Sequence, residues 1–95
     1  MQSANGFTVQ LATCHSAELA RQGARVDQAF NAVLATRSGE AKQRLQQDQR
    51  AWLERRDVEC QADPGRRRSL DVLTEGSCRI EMTIRRATTL ERLLG

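Results

Sequence analysis

Tyrosine is absent, and the 95 residues contain one tryptophan, one proline, one histidine and three cysteines. Each scarcity removes a class of function. With His15 alone and no C-x-x-C spacing, a Cys/His zinc site lacks ligands, and no metal or other cofactor is expected. A Ser/His/Asp set would have to use that same histidine. Its neighbour Cys14 does not face it on a helix, because adjacent residues point about 100° apart. Three aromatic residues, Phe7, Phe30 and Trp52, cannot build the stacking platform of an RNA-binding sheet. No apolar run approaches the roughly 18–20 residues that cross a bilayer, so no membrane insertion is expected. The opening Met1-Gln2-Ser3-Ala4-Asn5-Gly6 has neither the basic start nor the apolar centre of a secretory signal.

What remains is a mildly basic, helix-forming chain. Fifteen basic against twelve acidic residues give a net charge of +3, and 28% of residues are charged. That excess is modest for a nucleic-acid binder, and the acids around Arg66-Arg67-Arg68 and Arg85-Arg86 dilute the field. A helix-turn-helix would also need a turn shorter than Gln61 to Arg68. No nucleic-acid partner is expected. A paired-carboxylate hydrolase needs acids across a cleft, which a small helical bundle scarcely offers. The composition therefore points away from catalysis. At this length a single domain covers residues 1–95, with 1–7 read as a flexible or appended start. Its core is modest, so a covalent cross-link would help it.

Strand-like alternation is scarce and helical periodicity dominates. The fold expected is all-α: a small antiparallel bundle of three main helices, with room for a short fourth. The first helix spans about Thr8 to Ala35, with Leu19, Gly23, Val26, Phe30, Val33 and Leu34 on one side. Gly23 costs roughly 1 kcal/mol against alanine in mid-helix, which suggests close packing or a break there. Ser38 or Gly39 caps a second helix reaching about Cys60. Its apolar face carries Ala41, Leu45, Trp52, Leu53 and Cys60, interrupted by Gln49 and Arg56, which need hydrogen-bond partners if buried. Asp63-Pro64-Gly65 makes a turn. The third helix is secure from Cys78 to about Leu93 and has a possible earlier start near Ser69, with Gly76 as a weak point. Its inward stripe reads Cys78, Met82, Arg86, Thr89, Leu90 and Leu93. Ile80, Ile84 and Ala87 form a second apolar stripe, a surface for a partner or a homodimer unless another segment covers it.

Cys60 and Cys78 stand at facing ends of two antiparallel helices, near enough in such a hairpin for a disulfide. Two buried free thiols fit the composition about as well.

Gln49-Arg50-Ala51-Trp52-Leu53-Glu54-Arg55-Arg56-Asp57-Val58-Glu59-Cys60 resembles the Q-x-x-W-x-x-x-R-D-x-x-C signature of the LprI-like family. Cys78, Thr83, Arg86 and Leu90 resemble its second block, and Cys14, Asp27 and Asn31 match its first helix loosely. The chain departs from the pattern at Arg55, where the family is commonly aromatic, and lacks a cysteine upstream of Cys14. The resemblance implies small helical proteins exported to the bacterial envelope and stapled by disulfides, hence a Cys60–Cys78 bridge and a periplasmic location. It also implies inhibition of lysozyme, as in the family's named member, or immunity against type VI secretion amidases. The partner expected is therefore a secreted peptidoglycan hydrolase or amidase toxin, with a non-inhibitory envelope interaction protein as the competing class. Because lysozymes are generally cationic and this chain is basic, the amidase is the first choice.

Within the motif, Gln49, Trp52, Arg56, Asp57 and Arg86 are read as structural: an aromatic anchor, and polar groups that hold helices or carbonyls. Partner contact is assigned to the polar outer side of the second helix, Gln43, Gln46, Gln47 and Arg50, and to Ile80 and Ile84 on the third.

Overall fold

The computed structural model describes residues 3–61 and 69–94, with side chains placed for 13–61 and 73–94. Three helices make up the described chain: α1 (Ser3–Leu34), α2 (Gly39–Glu59) and α3 (Ser69–Arg92). The Asp63-Pro64-Gly65 turn, Arg66-Arg67-Arg68 and the side chains of residues 1–7 lie outside the described residues. The helix at Ser3 starts earlier than the expected Thr8, and α3 runs unbroken through Gly76.

The first break is built from local bonds. Thr36 donates through Oγ1 to the Val33 carbonyl at 2.6 Å, and the Arg37 amide donates to the Leu34 carbonyl at 3.0 Å. Ser38 then adopts extended backbone and Gly39 takes φ +58°, a left-handed conformation that costs a side-chain-bearing residue about 1 kcal/mol or more. Ser38 makes no side-chain cap bond, so the start of α2 rests on backbone geometry and on Glu40 in its first turn.

The direction of the helices follows from contacts across them. His15 lies against Gly76, and Arg25 bonds Thr88 and Glu91, so α1 and α3 run the same way. Cys60 meets Cys78 and Gln49 meets Arg86, so α2 runs against α3. The core joins Val26, Ala29 and Val33 of α1, Leu45 and Trp52 of α2, and Ala87 and Leu90 of α3, with Phe30 and Leu34 packed against it. Small Ala29 and Ala87 are buried and let α1 and α3 approach closely. By contrast α2 stands further off, because its buried side chains are Leu45, Gln49 and Trp52, two of them long or bulky polar-tipped groups. The result is elongated: its radius of gyration is 16.2 Å, against the roughly 12 Å of a compact chain this long. Its 32-residue first helix accounts for that. Arg25 ties α1 to the end of α3 through two bonds of 2.7 Å to Glu91.

Six expected placements are corrected. On α3 the enclosed residues are Glu75, Thr83, Ala87 and Leu90. Met82, Cys78 and Arg86 are half-buried, while Thr89 and Leu93 are exposed. Since α3 touches both α1 and α2, its buried arc is centred between the two stripes and takes Ala87 from the one read as surplus. Thr83 tolerates full burial because its hydroxyl donates to the Arg79 carbonyl at 2.6 Å. On α2, Ala41 and Leu53 are exposed, so its apolar face is narrower than the spacing suggests. Gly23 marks neither a break nor a close approach, for a methyl group there would meet nothing within 4 Å.

Candidate partner-binding groove

Cys60 and Cys78 are bonded, with their Cα atoms 5.5 Å apart, and this fixes the C-terminal end of α2 to α3. Met82 adds its sulfur 3.5 Å from that of Cys60. Cys14 is an exposed free thiol on α1.

Just beyond the bridge, the motif residues assemble around Trp52. Its ring is buried, with the Arg56 guanidinium 5.3 Å and the Arg86 guanidinium 5.9 Å from its centroid. Both distances suit cation–π attraction. Helical spacing places Gln49, Trp52 and Arg56 in successive turns of α2, and the antiparallel approach of α3 brings Arg86 beside them. The two polar intruders on the apolar face of α2 therefore find partners. Gln49 accepts a 2.9 Å bond from Arg86 Nε. Arg56 donates to Asp57 at 3.1 Å and, more distantly, to the Thr83 hydroxyl at 3.4 Å. Asp57 also sits 3.5 Å from Arg79, whose guanidinium reaches buried Glu75 at 3.6 Å. Arg79 and Glu75 are partners that the spacing did not single out, whereas Thr83 stands in the second block of the resemblance. A polar residue at i+4 steps from an arginine on a buried face was the available signal.

A groove of about 360 Å³ opens between α2 and α3 beside this cluster. Trp52 and Met82 form its apolar part, Arg55, Arg85 and Arg86 its basic part, and Glu59 and Thr89 complete the lining. Arg55 drew notice in the sequence only as a departure from the motif, yet here it faces the opening. Burial holds the Arg86 guanidinium below its ordinary pKa, with nearby Asp48 opposing that shift and Arg55 adding to it. Its Nη2 is out of solvent contact and has no hydrogen-bond partner among the described residues.

The residues assigned to partner contact are dispersed. Gln43, Gln46, Gln47 and Arg50 are exposed on α2, and only Gln43 and Gln47 share a concavity, a polar one of about 210 Å³ with Glu40 and Arg44. Ile80 is half-buried and Ile84 is 37% exposed. None of them lines the α2–α3 groove. Among the described residues no cluster of metal-binding side chains occurs, and no described helix is long and apolar enough to cross a membrane.

The family model of the lysozyme inhibitor LprI matches residues 1–90. The chain belongs to the LprI family. No curated protein and no solved structure matches it significantly. Proteins of the LprI family are inhibitors whose partner is a hydrolase, and the family is typically extracytoplasmic. The disulfide fits such a setting, since oxidised pairs persist outside the reducing cytoplasm.

Proposed function

We propose that this LprI-family protein is a periplasmic inhibitor that binds a peptidoglycan-cleaving hydrolase of the lysozyme type and occludes its active site without chemistry of its own. The observation that carries this reading is the family match over nearly the whole chain. The geometry suits the role: a disulfide fastens the helix pair whose facing sides form a concave surface, so its backbone frame is set before any partner arrives. Preorganisation of that kind lowers the entropy lost on binding.

A second reading, immunity against a peptidoglycan amidase delivered by type VI secretion, is favoured by the net charge of +3, which opposes long-range attraction to a cationic lysozyme. One experiment separates them. The purified oxidised protein is titrated into a lysozyme and, separately, into a peptidoglycan amidase, with turnover of cell-wall substrate as the readout. Near-stoichiometric loss of lysozyme activity supports the first reading, and loss of amidase activity alone supports the second. Degradation of cell wall by the protein itself would overturn both. Protection of cells by a version confined to the cytoplasm would overturn the periplasmic location.

A further inference from the structure

The α2–α3 groove combines three features that a solvated surface does not require. It is concave and partly apolar, with Trp52 and Met82 in its lining. It gathers three guanidinium groups against one acid, Glu59. Arg55 makes no ion pair among the described residues, Arg85 is mostly exposed with its only pairing to exposed Glu81, and Arg86 keeps one nitrogen unpartnered and away from water. Three guanidinium groups against a single acid leave the groove with an excess of positive charge that an incoming anion would offset.

We infer that this groove is the docking site for a carboxylate of the partner hydrolase, held by the exposed side chains of Arg55 and Arg85, with the half-buried guanidinium of Arg86 adding its charge behind them. The inference rests on the lysozyme-type reading above. Glycoside hydrolases carry two carboxylates flanking the scissile bond, and guanidinium groups match carboxylates with paired, charge-assisted hydrogen bonds. The occupant is thus an acid of the catalytic pair, and the inhibitor reaches it with the α2–α3 face. The polar outer side of α2 that carries Gln43, Gln46, Gln47 and Arg50 is left outside the contact.

The test uses the full oxidised chain, a cationic c-type lysozyme, and the double variant Arg55→Glu, Arg85→Glu. Both positions are exposed, so the fold is retained, which circular dichroism and the melting temperature check. Two reversals make the chain net acidic, and a simple long-range field would then strengthen binding to a cationic enzyme. The groove predicts the opposite: inhibition at least about tenfold weaker. The wild-type protein should likewise bind about tenfold more weakly to a lysozyme whose catalytic glutamate is replaced by glutamine, whereas the double variant should no longer distinguish the two enzymes. Unchanged or stronger inhibition by the double variant overturns the groove while leaving the inhibitor reading intact. So does a wild-type dimer that the double variant dissolves, since the groove would then face a second copy of the chain. A wild-type protein that leaves lysozyme turnover untouched overturns the inhibitor reading itself, and this assignment with it.

Discussion

Trp52 joins the core to the polar cluster beside it, for it is one of three aromatics and the one that α2 sends into the core. Its ring touches both the apolar cluster and two guanidinium groups, so it organises packing and charge together. Trp52→Ala should destabilise the protein by about 3–5 kcal/mol, since it leaves a cavity and strips Arg56 and Arg86 of their platform. Trp52→Phe should cost clearly less, and urea melts of the two variants check the order. Equal losses would show that the indole's size and face are immaterial. The glutamine and arginines around it were legible as polar residues on an apolar face. Their pairing was not, because Arg86 lies on another helix and only the fold shows that it reaches Gln49 rather than a helix end.

Three glycines separate propensity from packing at the scale of the element. Gly23 sits in α1 with open space where a methyl would go, so Gly23→Ala should stabilise by about 0.5–1 kcal/mol through helix propensity alone. Gly39 holds a positive φ, so Gly39→Ala should destabilise by about 1 kcal/mol. Gly76 accepts His15, whose Nδ1 would lie 2.8 Å from an added methyl and whose Cβ would lie 3.2 Å away. Gly76→Ala must therefore displace that side chain, and its melting temperature should fall despite the gain in propensity. Thermal melts of the three variants should rank Gly23→Ala above wild type and the other two below it. Both α1 and α3 looked interruptible at their glycines. Gly76 instead accommodates a neighbouring helix, and sequence spacing cannot separate that use from a simple weak point.

Across the whole molecule, two devices join the helices from different ends. The Cys60–Cys78 bridge encloses a sequence separation of 18 residues, which in the chain-entropy treatment contributes about 3 kcal/mol. Reduction, or the double change Cys60→Ser and Cys78→Ser, should lower the unfolding free energy by about that amount in a denaturant titration. The Arg25–Glu91 pair ties α1 to α3, and hydrogen bonding to Arg25 holds the Glu91 carboxyl below its ordinary pKa. Glu18 is likewise lowered, first by its bond from Gln22 and then by Arg21. A lowered folded-state value means stability that is present above the ordinary carboxylate pKa and lost as pH falls through the folded value. The melting temperature should therefore drop on acidification below about pH 4.5. Glu91→Gln should lie below wild type at neutral pH and converge with it in acid. A constant gap at every pH would mean that the carboxylate's charge plays no part.

Sequence alone determined the helical class, the break before α2 and the polar–aromatic motif on α2, because periodicity, Gly39 and the Gln49-to-Cys60 spacing are local properties of the chain. Its family resemblance also supplied the Cys60–Cys78 pairing, which composition by itself left open. Tertiary structure decided which arc of α3 is buried and which arginines come together beside Trp52. Periodicity defines the faces of a helix, but Ala87 and Thr83 became core only because α3 has neighbours on two sides. In the same way Arg55, Arg85 and Arg86, drawn from antiparallel helices, become one basic groove only when the disulfide and Trp52 set those helices side by side.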